Sequence, residues 1–376
     1  MRRGMKILNV DAAVFGCFRV GQEFRTIADR GEDASFSRGT AHNLVESEIV
    51  VKRILRFVLW LLLGGVAVAG ILAALAAYLL YTPNPELPRL SGTIVAGSIV
   101  IDGRERTYQA YVPKGLAQGA PLVLAMHGSG ENGTAMRIET GYAFERLADQ
   151  RGFAVVYPNG QNGHWNTCEI DNDAQQPAID DVRFLTALAD KFVDSIGTDR
   201  NRVFGVGLSE GGYMATRLAL EAPRFRALAS VEANLPAPEN FQCKPVTQGG
   251  ASIVLIHGTK DRLVPFEGGE GNLIFGLLKN PKVLSSRATA QYFADLDAIV
   301  GRPITTASVS TDGFGIERSI WSNGSGAEVE LIAIDGAGHT FPQPYYRARR
   351  ILGPSPRDPN AAEVIWAFFE RQRPRL

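Results

Sequence analysis

The sequence predicts an α/β protein: a mostly parallel central sheet flanked by helices, preceded by one apolar N-terminal helix. Three observations carry this. Short apolar runs of strand length alternate with helical patterns from residue 121 onward, the mark of parallel strands joined by crossovers. Two alternating segments, "GTIVAGSIVI" and "RERTYQAYV", flank Asp102-Gly103, which is a hairpin turn signature. Upstream of both, "FVLWLLLGGVAVAGILAALAAYLLY" over residues 57–81 contains no charge.

That apolar run exceeds the ~20 residues needed to span a hydrocarbon core. It is apolar around its whole circumference, which favours a membrane span over a buried core helix. Lys52, Arg53 and Arg56 precede it and "TPNPELPR" follows, so the positive-inside rule leaves the N-terminus in the cytoplasm and the remainder outside. The small residues of "AALAA" offer a cleavage site, and cutting there gives a secreted protein. The run continues past them and is longer than a signal-peptide core, which favours an uncleaved signal anchor. Residues 1–56 read as a cytoplasmic tail, loop-like at "GEDASFSRGT". Alternatively, translation starts near Val50 or Val51, because "VKRILR" and the apolar run already form a complete export signal. Peptides from residues 5–38 in the mature protein would exclude that start.

After a Pro-rich linker over residues 82–90, residues 91–376 read as one catalytic domain without internal repeats. Its strands are the hairpin, "PLVLAMH" from Pro121, "FAVVYP" from Phe153, the run ending at Gly205, "ALASVEA" from Ala227, "ASIVLIH" from Ala251, and a pair around "IERSIWS" and "EVELIAID". Helices fall over residues 142–151, 180–197, 213–221, 285–300 and 361–371. Residues 265–281 fit either a lid or a packed turn. Lys+Arg and Asp+Glu are equal at 39 each, and no basic stripe interleaves with aromatics, so no nucleic-acid partner is expected. Of three cysteines, Cys17 precedes the span, and Cys168 and Cys243 follow it. An oxidising exterior favours a Cys168–Cys243 disulfide; the alternative is two separate buried thiols.

Ligand sites in open parallel sheets lie at the carboxyl ends of the strands. The strand ending at Gly205 runs into Gly207-Leu208-Ser209-Glu210-Gly211. Ser209 could simply cap the following helix. In a strand–turn–helix, however, Gly-x-Ser-x-Gly holds the serine in a strained turn with its oxygen above the sheet. Two other strand ends supply an acid and a base, Asp261 and His339, giving the chain order Ser, Asp, His of the α/β-hydrolase fold. Elimination selects the base. His42 lies across the membrane, and His127 and His164 precede the nucleophile. His257 would need an acid before it, yet Glu221, Glu232 and Glu239 fall in or beside helical and Pro-rich segments. Asp335 is the rival acid, but it ends the strand that leads to His339.

In this arrangement His339 takes the Ser209 proton and Asp261 orients the imidazole, so activity should fall in acid as His339 protonates. The backbone N–H groups of Ser129, in "HGSG", and Glu210 form the oxyanion hole, with the Glu210 side chain expected to point away. No Gly-x-Gly-x-x-Gly or Walker lysine opens a βα unit and no Cys/His spacing suits zinc, so neither cofactor nor metal is expected.

These blocks, with "VVYPNG", "HWNTC", "IDDVRFLTALAD", "VLIHGTKDRLVPFEGG" and "DGAGHTFP", resemble the esterases grouped with polyhydroxybutyrate depolymerases and feruloyl esterases. The resemblance covers most of the exported domain. It implies a Ser209–His339–Asp261 triad, an oxyanion hole at Ser129 and Glu210, and a loop flanking the substrate at Trp165 and Asn166. Phe341 stands where the family often has Trp, a second substrate contact. Asp180 and Asp181 match its "DDV" motif and read as helix caps and anchors. Nothing resembles the separate polymer-binding module of secreted depolymerases, which favours small soluble or oligomeric esters over solid polymer. The expected function is thus a membrane-anchored or secreted serine esterase. The alternatives are a peptidase or acyltransferase on the same scaffold, or a catalytically silent surface binding protein.

Overall fold

The computed structural model describes residues 34–170, 179–244, 251–273, 276, 278–322 and 326–372. The chain forms two compact units, Met1–Leu75 and Ala76–Leu376. The first consists, among the described residues, of helix α1 (Ala34–Leu80), which runs on into the second. Within α1, Val45–Leu80 is long and apolar enough to cross a membrane, and its most apolar 18-residue window reaches a mean hydropathy of 2.5. The helix corrects one expectation: it begins at Ala34, inside the stretch read as a loop. Once an apolar helix is nucleated, each added residue costs little, and the Glu48–Lys52 pair at 3.3 Å supports the polar end.

In the second unit a hairpin of β1 (Thr93–Ile101) and β2 (Arg104–Val112) turns at Asp102 and Gly103, both with positive φ as a tight hairpin requires. Next come β3 (Leu122–Met126), α2 (Gly133–Glu139), α3 (Ala143–Arg151), β4 (Ala154–Pro158), α4 (Asp181–Ile196), β5 (Val203–Leu208), α5 (Glu210–Glu221), β6 (Ala227–Val231) and β7 (Ser252–Gly258). The rest is β8 (Gly269–Leu273), β9 (Leu278–Val283), α6 (Ser286–Leu296), β10 (Ile304–Val309), β11 (Gly315–Ser322), β12 (Glu328–Asp335) and α7 (Ala361–Arg371). The main sheet has the order β1-β2-β4-β3-β5-β6-β7-β12-β11-β10. It is parallel from β4 to β12 and antiparallel at both margins.

The central strands are near-continuous apolar runs because both faces are covered. One core holds Leu185 of α4, Leu218 of α5 and Phe293 of α6. The opposite core holds Phe144 of α3 and Trp366 and Phe369 of α7, with Phe204 stacked on Phe369 at 4.6 Å and Phe153 on Trp366 at 4.0 Å. The segment left open as lid or turn contains the β8–β9 hairpin. Val283 packs against Tyr213 of α5, and Asn280 donates to the Tyr213 hydroxyl.

Cys168 and Cys243 are joined in a disulfide that ties the loop after β4 to the segment before β7. Beside it, Glu169 is buried, with Thr167 Oγ donating to its carboxylate at 3.3 Å. Burial raises the Glu169 carboxyl to about 7, against the lowering effect of Thr167. Between its ordinary value and 7 the folded chain keeps a proton that the unfolded chain has released, so stability is lost as pH rises through that window. Glu169→Gln is neutral throughout. Relative to wild type it is expected to gain on the order of 3 kcal/mol between pH 4 and pH 8, read as a pH-dependent difference in denaturant midpoints. A constant difference across that range would contradict the assignment.

Candidate active site

Strand register assembles the site. Leu208, Val231, Ile256 and Ile332 form one row across β5, β6, β7 and β12. One residue further toward the carboxyl ends, β5 passes into Ser209 and β6 into Glu232, while the loops after β7 and β12 carry Asp261 and His339. Ser209 N–H donates to Val231 O, and Glu232 N–H to Ile256 O, which stitches these ends together.

Ser209 occupies φ 56°, ψ −120°, a strained conformation for a residue with a Cβ. Close approach by its neighbours forces the turn. A Cβ on Gly207 would lie 1.8 Å from Gly211 O, and one on Gly211 would lie 2.3 Å from Met126 O. Only glycine fits at either position, which is the physical content of the motif. Helix α5 starts at the next residue, so its N-terminal dipole points at the serine. The capping alternative fails, as Ser209 makes no side-chain cap.

Asp261 and His339 meet directly, with Nδ1 of the imidazole 2.6 Å from Oδ2. Asp261 Oδ1 accepts from the backbone N–H groups of Leu263 and Val264, fixing the carboxylate. Burial alone would raise this carboxyl. The charge interaction with His339 and hydrogen bonds from His257 and His339 outweigh it and hold Asp261 well below the usual carboxylate range. The rival Asp335 instead accepts from Thr259 Oγ at 2.9 Å. His257 is buried and bonded to Val264 O at 2.8 Å, a structural role at the strand end.

Sequence reasoning passed over Glu232. It is fully buried at the end of β6 with φ 52°, and both its oxygens accept from Gly258 N–H at 3.1 Å. Burial, then the negative charge of Asp261 and a hydrogen bond with it, push Glu232 well above its ordinary value; Gly258 and Thr340 N–H act the other way. A proton on this buried pair therefore favours Glu232 over Asp261. Donor atoms of Glu232, Asp261 and His339 lie within 4.8 Å of one another, a spacing that could also hold a cation. Here those atoms are engaged with each other and with backbone N–H groups. The signal was available: an acid directly after an apolar run of strand length, at the sheet edge where the other strands deliver their polar residues.

The Gly128–Gly130 loop packs against the Ser209 turn, since a Cβ on Gly128 would lie 3.6 Å from Ser209 Cβ. Gly128 N–H is taken by Glu131 and Gly130 N–H by Gly163 O, so the amides on both sides of Ser129 are committed. His127 is buried. Its Nδ1–H donates to Gly128 O, and its Nε2 accepts from Gly160 N–H. Burial lowers His127 to about 4, which keeps it neutral. Trp165 corrects an expectation. It has no exposed surface, its indole donates to His127 O at 2.9 Å, and its ring packs on His127, so it props the loop and presents nothing to a substrate. Phe341 is likewise buried against Phe144. Asn166 is tied by its N–H to Asp181, by its amide to Ile179 O, and through its carbonyl to Arg217. Asp180 caps α4, and buried Asp181 accepts from Arg106 at 2.6 Å.

The Glu210 side chain does not turn out to solvent. Its carboxylate sits 3.3 Å from His164 Nδ1, which is also 3.3 Å from Ser129 Oγ. Ser129, His164 and Glu210 thus form a polar cluster beside the Ser209 turn.

Residues 106–237, which contain this loop and the Ser209 turn, match the family described as Esterase PHB depolymerase. A protein of Nocardia uniformis subsp. tsuyamanensis named "Putative esterase NocK" is 30% identical over 303 residues, covering 77% of this chain and 86% of NocK. The chain belongs to this esterase family. A protein of Aspergillus flavus named "Probable feruloyl esterase C" is 28% identical over 286 residues, covering 74% of this chain and 87% of its own length. Among solved structures, acetyl xylan esterase from Aspergillus awamori matches with a TM-score of 0.48 and 17% identity, over 65% of this chain and 94% of that one. The protein is an α/β-hydrolase esterase, and its chemistry is carboxylic ester hydrolysis.

Proposed function

We propose that this esterase works through a Ser209 acyl-enzyme on small soluble or oligomeric esters outside the cytoplasm, held at the membrane by residues 57–81. The observation that carries the catalytic reading is the 2.6 Å hydrogen bond between Asp261 and His339, two strand ends away from the strained Ser209 turn. In the first step His339 Nε2 takes the hydroxyl proton as Ser209 Oγ attacks the acyl carbon. Asp261 stabilises the imidazolium through Nδ1–H. The N–H groups of Ser129 and Glu210 receive the developing oxyanion, aided by the N-terminus of α5. His339 then protonates the leaving alcohol, and water reverses the sequence to release the acid.

Relatives named as feruloyl and acetylxylan esterases support short or aromatic acyl groups on a carbohydrate alcohol. Carboxylates of Glu131 and Glu210 beside the oxyanion loop disfavour an anionic acyl group.

The test uses the full chain in non-ionic detergent, with acetyl and butyryl esters, hydroxybutyrate oligomers, methyl ferulate and a peptide, alongside a fluorophosphonate probe mapped by mass spectrometry. Ester turnover with an adduct on Ser209 is expected. Peptide cleavage exceeding ester cleavage would reassign the enzyme as a peptidase. Folded protein with neither turnover nor adduct would leave a binding protein.

A further inference from the structure

Away from the active site, a cavity of about 890 Å³ opens between the linker at residues 82–86 and the loop that follows His339. Four arginines line it: Arg146, Arg347, Arg350 and Arg357, with Tyr345 among them and Glu86 on the same wall. Arginines elsewhere in the domain hold carboxylates, as Arg137 holds Glu145, Arg200 holds Asp190 and Arg371 holds Glu330. Among the described residues, no carboxylate lies within ion-pair distance of the four around the cavity. Arg146 stacks over the Tyr345 ring at 4.3 Å, and its Nε is buried without a hydrogen-bond partner. The guanidinium groups of Arg350 and Arg357 donate to the carbonyls of Tyr78 and Pro344, and the backbone N–H of Arg357 donates to Asp312 Oδ2. The chain thus gathers unneutralised guanidinium groups at one place.

We propose that this cavity binds the phosphate of an anionic phospholipid headgroup and so seats the catalytic domain on the membrane. The inference rests on the proposed membrane anchoring by residues 57–81. Three observations converge on that ligand. Guanidinium groups present paired donors that match phosphate oxygens, and several converging on one site favour a dianion or phosphodiester over a lone carboxylate. Chain length places the site: an extended residue spans about 3.5 Å, so the linker residues lining the cavity lie at most ~18 Å beyond the end of the apolar run. Headgroup layers are only roughly 5–8 Å thick on each side, so Thr82 and Pro83 fall within one. Finally, proline and tyrosine surfaces on the walls suit the glycerol and upper acyl carbons next to the phosphate.

The experiment measures binding of dioctanoyl phosphatidylglycerol, dioctanoyl phosphatidylcholine and inorganic phosphate to the full chain in non-ionic detergent by calorimetry. It is repeated with Arg347→Gln/Arg350→Gln, whose hydrolysis of a soluble ester controls for folding. The expected result is at least tenfold tighter binding of phosphatidylglycerol than phosphatidylcholine, weakened by salt and abolished as a preference in the variant. Equal affinities, or a preference surviving in the variant, overturn the proposal. Inorganic phosphate binding as tightly as the lipid would make the cavity a free-phosphate site and overturn the lipid assignment. Alkaline carbonate extraction of membranes carrying the full chain tests the anchor separately. Release into the supernatant defeats the anchoring, while the detergent measurement still reports on the cavity.

Discussion

Ser209→Ala is expected to lower kcat/KM for carboxylic esters by roughly 10⁴- to 10⁶-fold while leaving the fold intact. Removing the hydroxyl takes away the only atom that can become acylated. The oxyanion donors and substrate contacts survive and supply the residual rate. Stability should hardly change, because alanine inherits the same positive φ and Ser209 makes no cap to lose. Steady-state kinetics with parallel thermal melts check this, and the fluorophosphonate adduct should disappear. A variant keeping more than a tenth of wild-type activity would remove Ser209 from the chemistry. In that case the strain at its turn would need another explanation.

The placement of Ser209, Asp261 and His339 at strand ends was legible because each element has a rigid local grammar. Gly207 and Gly211 announce a turn that no larger residue can make, and Asp261 and His339 sit in the short loops that follow apolar runs of strand length. The parallel sheet and the terminal helix α7 followed from the same alternation of short apolar runs and helical patterns. What stayed hidden depends on packing between distant segments. Trp165 lies in a Gly-rich and polar stretch, and nothing local says that its indole is buried under His127. Phe341 follows His339 closely, yet its ring turns into the core beside Phe144. Glu232 was set aside because "ANLPAP" after it reads as a loop; only the register of β6 against β7 shows its carboxyl beside Asp261. The arginine cavity joins segments more than 200 residues apart and has no signature in any one of them.

Glu232 also sets the outcome of the second large effect. Asp261→Asn is expected to cost about 10⁴-fold in kcat, since an amide neither fixes the imidazole tautomer nor stabilises the imidazolium. In wild type a proton on the pair favours Glu232 over Asp261, and the expected role of Glu232 is to position the Asp261 carboxylate. Glu232→Gln preserves both a donor toward Asp261 and an acceptor for Gly258 N–H, and should cost less than about 3-fold. Glu232→Ala leaves the Gly258 and Thr340 N–H groups unsatisfied, at about 1–3 kcal/mol each, and should lower both Tm and kcat. The sharper readout is a pH profile. Burial is the largest cause of the raised Glu232 carboxyl and the Asp261 charge the second, so removing that charge in Asp261→Asn lowers the carboxyl part of the way and lets Glu232 ionise at lower pH than in wild type. A carboxylate then returns within 4.8 Å of His339, and the activity of Asp261→Asn should climb toward alkaline pH. Adding Glu232→Gln should abolish that climb. Parallel profiles for the single and double variants would mean that the buried Glu232 only supports the fold, and that the imidazole depends on Asp261 alone.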